Sequence, residues 1–143
     1  MLGYQPWDNI VRRHKAPIKI ALLFADYDNH ARKFLENHIY DTFSPDDIQV
    51  ERTQLGAPRA IVHKKTGSIA RIFTSDQETR RLEGDTYHEF GMDEPQPREH
   101  YIALQRGLQR TAGKTLMTMT PLSEPWIYDE IYTQAAKIGR AHV

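Results

Sequence analysis

Two adjacent carboxylates, Asp93 and Glu94, stand at the end of a strand-like run and are followed by Pro95. A proline at this position takes the chain out of a strand. One carboxylate at such a tip can orient Mg²⁺, and a second can orient a water for attack on a phosphoryl group. Acidic pairs also occur at 46–47 and 129–130. A solvated acidic turn is therefore the alternative interpretation of the Asp93-Glu94 pair.

The next strand-like run ends in polar residues, Thr118 and Thr120, before Pro121. The carboxyl ends of parallel strands meet at one edge of a sheet, and ligands of open α/β sheets bind in the crevice beyond that edge. If the two carboxylates belong to the site of an ATPase, Asp93 and Thr120 must lie at adjacent ends of neighbouring parallel strands.

Two segments contain basic residues of the types that bind phosphate. Arg80 and Arg81 precede the acidic strand, and either could face a phosphate or DNA; ordinary surface charge is the alternative. Residues 113–115, Gly-Lys-Thr, resemble the end of a phosphate-binding loop, but Gly107 lies one residue too far upstream. This segment also follows a helix and begins a strand, which inverts the required context. Gly113 is better explained as the end of a helix.

Composition narrows the function classes. The 143 residues suffice for one domain with a core, and 19 basic against 19 acidic residues exclude a polycationic arm. The chain has no cysteine, so disulfides and thiolate metal sites are excluded. No apolar run approaches the roughly 20 residues that cross a bilayer. The expectation is a soluble, cytoplasmic protein.

The order of predicted elements is typical of the α/β class, with a mostly parallel sheet flanked by helices. Asp26 offers capping chemistry before the first helix, and Ser75 with Glu78 matches a capping box before a short helix. A capped single turn is predicted at 44–48, and a hairpin turn at 65–67. The predicted strands are 17–25, 59–65, 68–74, 86–92 and 114–120, and the longer helices are 29–40, 97–110 and 124–137, the last capped by Ser123.

Taken in order, four segments resemble the ATPase domain of the large subunit of phage terminases, the motors that package DNA. They are residues 2–7, 69–84, 92–95 and 118–122. The third is similar to the family's Walker B element and the fourth to its coupling motif. The resemblance implies a partial P-loop NTPase core of the ASCE type with a β-hairpin insertion.

The resemblance also implies roles. Asp93 would orient Mg²⁺, Glu94 would polarise the attacking water, and Thr118 or Thr120 would sense the γ-phosphate of ATP. Double-stranded DNA, the terminase small subunit and the portal would be partners of a homo-oligomeric ring in the host cytoplasm, with no membrane partner.

Two parts of such a motor have no counterpart in the sequence: the Walker A loop and the nuclease domain. The expectation is a partial ATPase domain over 1–137 that does not hydrolyse ATP alone. Residues 138–143 resemble a translated sequencing adapter and are expected to be a non-native tail; an ordinary helix end at Gly139 is the alternative. The alternatives are a helicase-like ATPase fragment and a non-catalytic DNA- or protein-binding α/β domain.

Overall fold

The computed structural model describes residues 14–119 and 124–134. Several predictions lie outside these residues: the segment 2–7, the coupling residue Thr120, the cap at Ser123 and the tail at 138–143. None of the described helices is long and apolar enough to cross a membrane.

The described strands form one six-stranded sheet in the order β2-β3-β4-β1-β5-β6. Strand β1 lies between β4 and β5 and is parallel to both, and β5 is parallel to β6. Strands β2, β3 and β4 are joined antiparallel, so the predicted hairpin is present. The mostly parallel α/β fold is thus confirmed. The strands are β1 Lys19–Phe24, β2 Ile48–Arg52, β3 Pro58–His63, β4 Ile69–Thr74, β5 Glu89–Asp93 and β6 Lys114–Thr118.

Three longer helical segments accompany the sheet. Helix α1 follows β1, and the Asp26 carboxylate caps it by accepting from the backbone N–H of Asn29 at 2.7 Å. Helix α2 joins β5 to β6, and α3 follows β6. The turns of α1 are Tyr27–Ala31, Arg32–Phe34, Leu35–Ile39 and Tyr40–Thr42; α2 is Arg98–Leu108 and α3 includes Ile127–Tyr132.

The helices cover opposite faces of the sheet. Along β1, Leu23 packs with Phe90 and Leu104 of the α2 side, whereas Leu22 and Phe24 pack with the α1 side. This alternation follows from the two-residue period of a strand. The Asp93 side chain lies on the α1 side of β5, because Phe90 and Met92 point to the α2 side and side chains alternate along a strand.

Strand β2 was not predicted. Ile48 begins this strand instead of ending the turn predicted at 44–48. Only Ile48 and Val50 of β2 are apolar, and the strand is held by antiparallel pairing with β3, residue Ile48 opposite His63. Because β2 is stabilised by pairing with another segment, its own residues show little of the pattern that would predict a strand.

The capping box predicted at Ser75 is wrong. The Ser75 hydroxyl donates to the carbonyl of Ala25 at 3.1 Å, and Glu78 precedes a single 3-10 turn, Thr79–Arg81, without a side-chain cap. The Ser75 hydroxyl therefore bonds to the backbone just after β1 and does not cap a helix, as the local sequence had predicted.

Strand β6 lies at the edge of the described sheet. The prediction of a buried strand is wrong here, because the residues alternate between exposed and half-buried and Leu116 is 68% exposed. An edge strand presents unpaired backbone groups to which another strand can add.

An ionic cluster joins β1, β4 and the loop before β5. Lys19 Nζ lies 2.9 Å from Asp85 Oδ1, and Arg71 Nη1 lies 2.7 Å from Asp85 Oδ2. The backbone N–H of Thr86 donates to the same carboxylate at 2.9 Å. Burial by itself would raise the pKa of Asp85, but the bonds from Lys19, Arg71 and Thr86 outweigh it and lower that pKa.

We expect Asp85→Asn to lower the free energy of unfolding by about 1–2 kcal/mol at neutral pH. The expected loss of free energy is small because water screens the Lys19 and Arg71 side chains, which are more than a third exposed. A depressed carboxyl pKa stabilises above the unfolded-state value of about 3.9, and this contribution is lost as pH falls through the folded-state pKa. The difference between the two proteins in urea unfolding should therefore shrink below about pH 3.9. Asp47→Asn, whose Lys65 partner is exposed, is the control and should change little.

Candidate functional site

The carboxyl ends of β5 and β6 bring three predicted site residues together. Asp93 and Thr118 are opposite each other in parallel register. The Thr118 hydroxyl donates to Asp93 Oδ1 at 2.9 Å, and the backbone N–H of Glu94 donates to the Thr118 carbonyl at 2.9 Å. Thr120 is outside the described residues, so the adjacency holds for Thr118 and stays a prediction for Thr120.

Glu94 has a left-handed backbone conformation, with φ of 69°. A residue with a side chain rarely adopts this region, and holding it there costs about 1–3 kcal/mol. The left-handed turn ends β5 directly after Asp93, and Pro95 follows. The Glu94 side chain is exposed. Backbone outliers of this kind occur often at functional sites, because the surrounding fold must hold them in place.

Buried polar groups support the loop that carries Glu94. Gln96 is fully buried, and its Nε2 lies 3.5 Å from the Asp93 carbonyl. The indole N–H of Trp126 donates to the Gln96 carbonyl at 3.2 Å. Nearby, His100 Nε2 lies 3.0 Å from the carbonyl of Gln77, in the loop after β4. The first two contacts brace the loop after β5 and join it to the start of α3, and the third joins α2 to the loop after β4.

Asp93 lies at the junction of two clefts on the α1 side of the sheet. The larger cleft, about 420 Å³, runs over Leu22, Gly91 and Leu116 to Thr118. The smaller cleft, about 200 Å³, lies between α1 and Asp93. A ligand bound at the strand ends could therefore contact both Asp93 and α1.

The α1 residues beside Asp93 were not predicted to belong to the site. Asn29, Lys33 and Asn37 line the smaller cleft together with two histidines, His30 and His38. The available signal was the position of α1 directly after a central parallel strand. Such a helix begins at the carboxyl edge of the sheet, where ligands bind. Only the strand order shows that this helix begins beside Asp93.

The structure does not bring Arg80 and Arg81 into either cleft. Both side chains are exposed on the 3-10 turn after β4, and Arg80 forms an ion pair with Glu78. Neither is among the residues that line the two clefts at Asp93. A phosphate or DNA contact by these arginines stays a prediction.

The residues at the strand ends could supply only part of the ligands of a magnesium ion. Phosphate oxygens and waters would have to supply the others. Within 14–119 and 124–134, no group of three or more histidine and acidic side chains is placed to hold a metal. Asp93 supplies one carboxylate, of which Oδ1 already accepts from Thr118. Mg²⁺ keeps several waters and commonly uses one or two carboxylates with substrate phosphates, so this donor set suits it.

The fold belongs to the open, mostly parallel α/β sheets whose ligands bind at the carboxyl ends of the strands. Among solved structures, it is similar to the large terminase from a thermophilic bacteriophage, with a TM-score of 0.61 and 12% identity over 86% of this chain. The same large terminase in complex with ADP matches with a TM-score of 0.56 and 11% identity, again over 86% of this chain.

The similarity to large terminase concerns the fold. This chain spans 31% of the length of each of the two terminase chains. No protein-family profile matches the sequence. No curated protein sequence matches it either.

Proposed function

We propose that the chain is part of the ATP-hydrolysing motor that packages DNA in a tailed phage. In this proposal Asp93 orients a magnesium ion, Glu94 polarises the attacking water, and Thr118, with Thr120, couples hydrolysis to motion. The bound ion would neutralise the charge of the phosphates. The chain by itself is not expected to hydrolyse ATP.

One observation carries the proposal: Asp93 and Thr118 share a hydrogen bond at the carboxyl ends of neighbouring parallel strands. Glu94, in its left-handed conformation, is fixed to the same pair through the Thr118 carbonyl. A solvated acidic turn has no need of a costly backbone conformation or of a buried glutamine behind it. The arrangement therefore favours a site over a surface turn.

Asp93, Glu94 and Thr118 would have separate tasks in this site. The Thr118 hydroxyl holds Asp93 Oδ1, so Oδ2 is the oxygen left to face a metal-bound water. Glu94 is exposed and follows immediately, where its carboxylate can accept a hydrogen bond from the attacking water. Because Thr118 binds Asp93 directly, a change at one strand end is transmitted to the other.

The fold and the edge position of β6 are consistent with a phosphate-binding loop supplied by a segment outside the described sheet. Two solved structures with a similar fold are large terminases, one of them in complex with ADP. A strand added in parallel beside β6 would end next to Thr118, and a loop following it would face Asp93. Such an addition would pair the backbone edge of β6.

The partners follow from the same proposal. The motor would act on double-stranded DNA with a small subunit and a portal, as a ring of identical subunits in the host cytoplasm.

The test is reconstitution. We expect the chain, joined to an upstream strand and a loop of the form Gly-x-x-x-x-Gly-Lys-Ser/Thr, to hydrolyse ATP with a requirement for Mg²⁺. Phosphate release by the chain alone, by the joined protein and by a joined protein lacking the loop lysine would be compared. A folded joined protein that binds no ATP would refute the proposal.

A further inference from the structure

The smaller cleft beside Asp93, called the α1 cleft, is lined mainly by hydrogen-bond donors. Its polar residues are Asn29, His30, Lys33, Asn37, His38 and Asp93. Asp93 is the single carboxylate among the residues that line it. The donors come from one helix, and the acceptor comes from the strand end across the cleft.

Helix geometry explains why the donors share one side. Asn29, Lys33 and Asn37 are spaced by four residues, so they lie above one another along α1. His30 and His38 flank this row. Phe34 packs against the Phe24 ring at 5.2 Å and the His38 ring at 5.8 Å, and so anchors this side of α1 to the sheet.

The charges of the α1 cleft are incompletely paired by the protein. Among the described residues Lys33 has no ion-pair partner within 4 Å, although its neighbour Arg32 pairs with Asp28. His30 uses Nδ1 to bond Asp26 at 3.1 Å, which leaves Nε2 as its other ring nitrogen. An ammonium with two amides and an imidazole suits an oxyanion with several acceptor oxygens.

We propose that the α1 cleft binds a phosphate group of a nucleotide, with Lys33 and Asn37 donating to its oxygens. The inference deepens the proposed function, on which it rests, by assigning phosphate contacts to α1. A carboxylate and a phosphate repel each other, so Asp93 accepts such a neighbour only through a shared cation. Binding therefore requires Mg²⁺.

The backbone phosphates of DNA present the same chemistry. The cleft lies beside the Asp93-Thr118 pair, is open to solvent and has a volume of about 200 Å³, a size that suits a single phosphate group. Because Lys33 and Asn37 are exposed, a short DNA duplex is the alternative occupant that the test compares with magnesium pyrophosphate.

The test uses the 143-residue chain itself. We expect magnesium pyrophosphate to shift the NMR signals of the Asn29 and Asn37 side-chain amides, and pyrophosphate without Mg²⁺ to have little effect. Lys33→Gln should weaken binding about tenfold, the loss typical of one charge-assisted hydrogen bond. Lys64→Gln is the matched control, since Lys64 is an exposed lysine in the hairpin turn at the other end of the sheet.

The outcomes separate this inference from the proposed function. Equal affinities of the Lys33 and Lys64 variants, or no binding by the wild-type chain, would overturn the inference and leave the reconstitution test of ATP hydrolysis unaffected. A short DNA duplex that shifts the same signals in a Lys33-dependent manner, while magnesium pyrophosphate does not, would overturn the nucleotide assignment. Loss of pyrophosphate binding in Asn37→Ala, with unchanged thermal unfolding, would support it.

Discussion

Glu94→Gln is expected to reduce ATP turnover by about 10²–10⁴-fold in the chain joined to an upstream phosphate-binding loop. Glutamine keeps the shape of the side chain but cannot accept a proton from the attacking water. Glu94 is exposed and makes its fixed contact through the backbone N–H. Stability and nucleotide affinity should therefore stay close to those of the parent protein. Steady-state phosphate release and equilibrium binding of a fluorescent nucleotide would measure the two properties separately.

The control for this experiment is Glu83→Gln. Glu83 is also exposed, but it precedes β5 and lies at the opposite end of that strand from Asp93. Its replacement should leave turnover unchanged. If Glu94→Gln retained full turnover, Glu94 would have no catalytic role, and the water would have to be oriented by another group.

Gly113→Ala is expected to lower the free energy of unfolding by about 3 kcal/mol or more. A Cβ at Gly113 would lie 2.2 Å from the His88 carbonyl oxygen and 2.6 Å from Leu108 Cδ2. The His88 backbone cannot yield easily, because its N–H donates to the Lys19 carbonyl at 2.8 Å and its ring accepts from the Lys19 N–H at 2.9 Å. The clash thus displaces the start of β5, β6 or both.

Urea unfolding followed by circular dichroism would measure the loss of free energy. In thermal unfolding, the same loss corresponds to a fall in melting temperature of roughly 10 °C. Gly84→Ala is the matched control. Gly84 has φ of 80° with no atom within 4 Å of a built Cβ, so only backbone strain of about 1 kcal/mol is expected. Similar losses in the two variants would show that the close approach at Gly113 is not the cause.

Gly113 also shows where a local interpretation was incomplete. It follows α2, as its interpretation as a helix end requires, and its N–H donates to the Leu108 carbonyl at 3.3 Å. The left-handed residue of this turn is Ala112, with φ of 50°. Glycine is required at 113 because the His88 carbonyl approaches it, and this contact joins two segments that are well separated in the sequence. Local turn preferences contain no information about such a contact.

The acidic pair and its strand could be recognised from the sequence because their signals are local. A proline after two carboxylates marks a strand end wherever the strand lies in the sheet. The hairpin and α2 were likewise predictable from turn residues and from helical spacing. By contrast, β2 depends on pairing with β3, and Ser75 bonds to a carbonyl 50 residues earlier in the chain.

The sequence by itself therefore determined the α/β class, most of its elements and the identity of Asp93, Glu94 and Thr118 as residues at strand ends. Only the tertiary structure decided that β1 lies between β4 and β5, that Thr118 bonds Asp93, and that α1 contributes Lys33 to the same edge. The physical reason is the range of the interactions. Hydrophobic period and turn chemistry act over a few residues, whereas strand order is set by hydrogen bonds and packing between segments tens of residues apart.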